Sequence, residues 1–255
     1  MRSALPAILA FFSLLPASPG HAGPLELVGA STVAREIIAP IAEPFRNATD
    51  KEIRTQAVGT GAGMIALFQG KTRAAMVAES LDDALYTTRQ VAKMQGIVLD
   101  VPPNLVMTEL GKNRLVVIVH QDNPAVALTR TQLKDLFSGR IANWKEVGGA
   151  DLPVVPVTSV LGNAIRTVVQ IKVMDGANYK AGIRETPTPG EAIPLVAADR
   201  GAIAVVSLAG WSSNATGTRI IKTPDYEHPL GLVTIGKPDA DIARLIGFIR
   251  ANSRI

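Results

Sequence analysis

The chain has 255 residues, 47% of them hydrophobic, with 26 Lys and Arg against 22 Asp and Glu and no Cys. The missing Cys excludes disulfides, thiolate metal sites and a lipid carried on an N-terminal Cys, and it fits an oxidising compartment. Lys and Arg are scattered singly, with no basic run and no interleaved aromatics, so no nucleic-acid partner is expected.

The first residues read as an export signal. Arg2 supplies one positive charge, residues 4–15 form an uncharged apolar run, and Gly20-His21-Ala22 places small residues where a signal peptidase cuts. The run is too short to span a bilayer, which takes about 20 residues. Residues 1–22 are therefore expected to be a signal peptide, and the mature chain to begin near Gly23 and diffuse freely in a periplasm. Loss of Arg2 leaves 25 basic and 22 acidic residues, a net charge of +3. Such a mild positive potential helps draw in a small anion.

Short apolar runs then alternate with helical patterns, which predicts an α/β architecture. Residues 25–29 read as a strand ending at Gly-Ala-Ser-Thr, and 33–45 carry an apolar stripe at helical spacing. A second strand over 53–58 leads into Gly59-Thr60-Gly61-Ala62-Gly63 and a helix through Phe68. A small-residue strand follows at 74–78, a helix at 81–93 and an extended stretch at 97–106. Residues 114–120 (RLVVIVH) are β-branched enough for a strand buried on both faces. Thr129 caps a helix over 131–137, which closes at Ser138-Gly139. Beyond it the pattern predicts strands at 152–157, 201–207, 218–222 and 230–234, with helices at 161–174, 190–198 and 240–252.

Residues 129–149 (TRTQLKDLFSGRIANWKEVGG) resemble the L-x-x-L-x-x-I-F-x-G-x-I-x-N-W-x-E-V-G-G segment of phosphate-binding proteins that serve ABC importers. Gly29-Ala30-Ser31-Thr32 resembles that family's first ligand loop, and Gly59–Gly63 its second. Residues 115–124 resemble the strand and D-N-P turn that enter the second lobe, and Gly201-Ala202-Ile203 resembles the G-x-I-G-Y-x-S strand. The resemblance covers the whole mature chain. It implies a type II periplasmic-binding-protein fold, with residues 23–110 and 212–255 in lobe one, 111–211 in lobe two and the ligand between them. It also implies a monomer that binds phosphate or a similar small oxyanion and delivers it to an ABC permease or a sensor.

A tetrahedral oxyanion is held well by the unpaired N–H groups at helix starts, where the dipole favours negative charge. The residues expected at the cleft are Ser31, Thr32, Gly61, Ala62, Arg73, Gly162 and Asn163. The ligand shell departs from the family. The R-x-x-G-S-G-T motif falls on residues 158–164, so its Arg becomes Thr158 and its Ser and Thr become Gly162 and Ala164. The D-I-G-x-S-S-R stretch falls on residues 73–79, which puts Arg73 where the family has an Asp. An Arg there would add a bidentate anion donor, whereas the other changes remove donors. These losses leave a second reading open: a degenerate binding fold that serves as a protein-interaction or envelope partner and holds no small ligand.

Other chemistries find little support. His120 and His228 are far apart and lack metal-ligand spacing, so no metal and no cofactor is expected. Ser31 lies in G-A-S-T-V rather than G-x-S-x-G and has no base beside it in sequence, so the chain is not expected to be an enzyme. His120 and His228 read as structural residues, and Trp144 as packing.

Overall fold

The computed structural model describes residues 23–252, so the expected signal peptide lies outside the described residues. In the first lobe, β1 (Leu25–Gly29) runs parallel to β2 (Ile53–Ala57) on one side and β3 (Ala74–Val77) on the other. In the second, β5 (Val155–Ser159) lies parallel between β6 (Arg184–Thr186) and β7 (Ala202–Ser207). Two long antiparallel strands, β4 (Leu105–His120) and β9 (Tyr226–Ile235), join them, and β8 (Thr218–Ile220) adds to the end of β4. The strand order is β2-β1-β3-β9-β4-β7-β5-β6, with β8 off this path. A mixed sheet whose parallel parts are covered by helices is the α/β class that the sequence pattern predicts.

Each lobe has its own core. Leu25, Leu27, Phe45, Met76, Leu232 and Leu245 are buried together in lobe one, where Phe45 meets Phe248 edge to face at 5.3 Å. Leu115, Val117, Leu133, Phe137, Trp144 and Ile203 form the core of lobe two. Trp144 is fully buried and its Nε1–H donates to Gly201 O at 2.8 Å, so it packs as expected.

Two expectations are corrected. The long strand β4 was divided in the sequence reading because a β-bulge between Glu109 and Gly111 and the polar Lys112 and Asn113 interrupt its apolar pattern. The segment after 212 was expected back in lobe one. Instead β8 pairs with Ile118–His120, and Ile221 and Tyr226 join the lobe-two core, so the return lies along β9.

The helix that leaves β1 starts as α1 (Ser31–Val33), widens into a π-turn over Ala34–Ile38 and continues as α2 (Ala39–Thr49). Pro40 has no N–H to return to Glu36 O, which accounts for the widened turn ahead of it. The remaining helices are α3 (Thr60–Phe68), α4 (Leu81–Gln95), α5 (Arg130–Ser138), α6 (Ala164–Val168), α7 (Ala192–Ala198), α8 (Leu208–Ser212) and α9 (Ala240–Asn252). A second π-turn, Val169–Val173, extends α6. No helix among the described residues is long and apolar enough to cross a membrane.

A candidate anion-binding cleft between the lobes

Three strand-to-helix loops meet where the lobes touch. The first follows β1, the second runs from β2 into α3, and the third joins β5 to α6. Gly59 N–H donates to Gly29 O at 2.9 Å, tying the first two loops together, and Gly61 N–H reaches Gly162 O at 3.3 Å across the lobes. Gly59 has φ +87°, and a Cβ on it would lie 2.7 Å from Gly162 O. Only glycine fits such a backbone so close to a carbonyl.

The helix starts at these loops have no side-chain caps. The N-cap positions Ala30, Gly59 and Asn163 make no capping hydrogen bond, and the Asn163 amide donates to Pro187 O instead. Ser80, Thr129 and Ser207, by contrast, each accept from the first turn of α4, α5 and α8, while α7 starts uncapped at Glu191. First-turn N–H groups lack intrahelical partners, so helix starts left uncapped at a cleft are suited to an anion.

The structure brings six of the seven expected residues to these loops. Ser31 and Thr32 open the first helix, Gly61 and Ala62 lie in the first turn of α3, and Gly162 and Asn163 precede α6. Arg73 is the exception. It precedes β3 and so lies at the opposite end of the sheet, paired with Asp239 at 3.0 Å and Asp241 at 3.3 Å at the start of α9. In parallel α/β sheets, sites open at the carboxyl ends of the strands, and Arg73 is at the amino end.

The residue at the carboxyl end of that strand was missed. Glu79 follows β3 and is fully buried, with Oε1 lacking any partner and Oε2 3.1 Å from the Thr87 hydroxyl. Burial pushes its carboxyl up to about 8, with Asp83 adding to the shift and Thr87 and Thr60 opposing it. Arg73 stands at the amino end of this stretch and the buried acid Glu79 at its carboxyl end. Its position just past a buried strand was the available signal.

Two further buried atoms lack partners here: Ser159 Oγ at the end of β5 and His228 Nδ1 on β9. His228, next to Pro229, is not in a loop. It lies instead in β9 opposite Asn113 of β4, with its Nε2 3.0 Å from the Asn113 amide. Burial lowers its imidazole to about 4, opposed by the backbone of Pro229 and Ala78. A neutral His thus faces the residue beside Glu79 from the strands that join the lobes.

A cation also stands by the end of β5. Arg166, in α6, donates to Ser159 O at 2.9 Å, pairs with Glu185 and lies 4.9 Å over the Tyr179 ring. With Thr158 in place of the family's Arg, this guanidinium lies near the same strand end from a different element. Beside it the seam between the lobes opens into a polar groove of about 560 Å³, lined by Tyr86, Gln90, Arg166, Gln170, Asn178 and Glu185. Among the described residues, no group of three or more His, Cys, Asp or Glu could hold a metal.

A two-lobed α/β frame with helix starts aimed at the seam defines a binding-protein architecture. The chain belongs to the PBP superfamily, whose domain model matches residues 16–251. The phosphate-binding protein PstS of Bacillus subtilis is 25% identical over 169 residues, which is 64% of this chain and 50% of that protein. The chain thus aligns with about half the length of that curated relative. Among solved structures, a putative phosphate ABC transporter substrate-binding protein from Clostridium perfringens, with bound phosphate, superposes with TM-score 0.73. It is 23% identical, over 89% of this chain and 93% of that one. An ABC-type phosphate transport receptor from Vibrio cholerae gives TM-score 0.69 at 20% identity, over 89% and 94%. The effector-binding domain of BenM with benzoate also shares the fold, at TM-score 0.59 and 19% identity, over 91% and 92%.

Proposed function

We propose that this protein is an exported solute-binding protein that holds a small oxyanion, phosphate or one of similar shape, between its lobes. It would work as a monomer in the periplasm and hand the anion to an ABC importer or a sensor, with no catalytic step. The observation that carries this reading is the meeting of three uncapped helix starts at a seam that also holds the unpartnered Glu79 Oε1, Ser159 Oγ and His228 Nδ1. Buried polar atoms are nearly always satisfied by protein, water or ligand. The PstS relative and the phosphate-bound neighbour support the same class of ligand.

Ser31, Thr32, Ala62 and Gly162 would supply backbone and hydroxyl donors, Gly61 and Asn163 would shape the loops through their own bonds to Gly162 O and Pro187 O, and Glu79 would meet the anion with a neutral carboxyl. A neutral carboxyl donates a hydrogen bond and does not repel charge.

Titration calorimetry of the mature protein with phosphate, sulfate and glycerol 3-phosphate tests the reading. Saturable heat with micromolar or tighter affinity for one of them is expected, lost when Ser31 and Thr32 are both changed to Ala. A folded protein that gives no heat with any of the three would favour the alternative of an interaction partner without a small ligand.

A further inference from the structure

The two lobes are joined across the cleft by a short chain of hydroxyls that ends on Glu79. The Thr87 hydroxyl, on α4 of lobe one, is 3.1 Å from Glu79 Oε2 and 2.7 Å from the Thr167 hydroxyl on α6 of lobe two. All three residues are buried, Glu79 and Thr87 completely. Thr87 carries a single hydroxyl hydrogen and can donate to only one neighbour. With Glu79 protonated, its Oε2–H donates to Thr87 and Thr87 donates to Thr167, which completes a directed chain from one lobe to the other. With Glu79 ionised the chain reverses, Thr167 donating to Thr87 and Thr87 to Oε2, and a buried charge is left with only hydroxyls from Thr87 and Thr60 around it. Leaving a charged acceptor unpaired costs more than leaving a neutral one.

The surroundings offer no cation to stabilise the ionised form. Thr60 of α3 and Thr87 of α4 contribute only hydroxyls, and the charged group that acts on Glu79 is Asp83, another acid. His228, from β9, meets the Ala78 backbone beside Glu79 and is held neutral, with Lys172 acting against its protonation. In an open form Thr167 would part from Thr87 and water would reach Glu79.

We propose that Glu79, Thr87 and Thr167 form a proton-dependent latch: closing the lobes takes up one proton at Glu79, and Thr87 and Thr167 position that carboxyl across the seam. Because the site that closes is the proposed anion cleft, the inference rests on that reading for its role, though closure itself can be followed without a ligand. In the closed form burial raises the carboxyl from 4.5 to about 8, and the latch requires that opening return it towards its ordinary value. For an acid whose value is raised in the closed form, closure is fully favoured below about 4.5 and weakens as pH rises towards about 8. Across that window the closed-to-open ratio falls about tenfold per pH unit.

The absence of Cys makes a distance measurement straightforward. Val58→Cys and Val160→Cys place spin labels on exposed sites flanking the Gly59–Gly162 contact, one on each lobe. Electron–electron double resonance on the otherwise intact protein from pH 5 to 9, with and without sulfate, reads the closed fraction. Sulfate does not titrate in this range, so any slope belongs to the protein. The expected result is a short distance that dominates at pH 5 and gives way to a longer one by pH 8.

Glu79→Gln keeps shape and loses titration, so its closed fraction should stay high and flat with pH. Thr167→Val should lower the closed-to-open ratio about two- to tenfold at pH 5, as loss of one neutral hydrogen bond does. A pH-independent distance in the parent protein, a slope retained in Glu79→Gln, or an unchanged closed fraction in Thr167→Val would each overturn the latch. The two proposals fail separately. Calorimetric silence with pH-dependent closure removes the anion reading alone, and anion binding with pH-independent closure removes the latch alone.

Discussion

His228 gives a quantitative test of how the strands between the lobes are held. Its side chain is only 2% exposed, it stands opposite Asn113 in the pairing of β4 with β9, and burial lowers its imidazole from 6.5 to about 4. In the unfolded chain the same group titrates at its ordinary value. Between about pH 6.5 and 4 the unfolded state therefore binds more protons, so stability falls on acidification through that window and levels off below it. At 1.36 kcal/mol for each unit, the loss by pH 4 is about 3 kcal/mol. For a chain of this size it lowers Tm by roughly 6–12 °C.

Carboxylates titrate in the same range, so the measurement is a difference. Thermal melts by circular dichroism from pH 7.5 to 4 would be compared for the parent protein and His228→Gln, whose amide can still face Asn113. The gap between the two melting curves should narrow or reverse by about 3 kcal/mol as pH falls, because the variant has no imidazole to protonate. If the two lose stability in parallel over the whole range, the buried imidazole is not kept neutral and the argument fails.

Other outcomes follow from packing and from the placement of Arg73. Gly59→Ala puts a Cβ 2.7 Å from Gly162 O on a backbone of φ +87°. Strain of about 1–3 kcal/mol should weaken anion affinity fivefold or more in calorimetry, and small-angle scattering should show a more open form. Arg73→Ala should leave anion affinity unchanged and cost at most about 1 kcal/mol in urea unfolding, since its pairs with Asp239 and Asp241 are partly exposed and Lys51 still pairs with Asp241 at 3.1 Å. Phe45→Ala empties a fully buried site against Phe248 and should cost about 3–5 kcal/mol by the same measurement.

Much of the cleft was legible because its parts are local. Gly59–Gly63 announces a strand-to-helix loop through its backbone freedom, and the capping box of Thr129 with Gln132 sets the start of α5 by contacts three residues apart. The six loop residues named from the sequence rested on the order strand, glycine turn, helix together with the resemblance to the phosphate-binding family, which placed Gly162 and Asn163. Arg73 and Glu79 were misjudged because both belong to one stretch, and the sequence does not say which end of a short buried strand faces the seam. The answer comes from the neighbours, since β3 runs parallel to β1 and antiparallel to β9.

The sequence by itself determined the α/β class and the glycine loops that start the helices, because each depends on composition or on contacts within a few residues. Tertiary structure alone decided that β4 and β9 are single strands through both lobes and that residues 218–226 belong with lobe two. It also decided that Glu79 is buried at the carboxyl end of β3 and linked through Thr87 to Thr167, 88 positions further along the chain. A carboxyl's protonation depends on what surrounds it in space, and those surroundings come from β3, α3, α4 and α6 together.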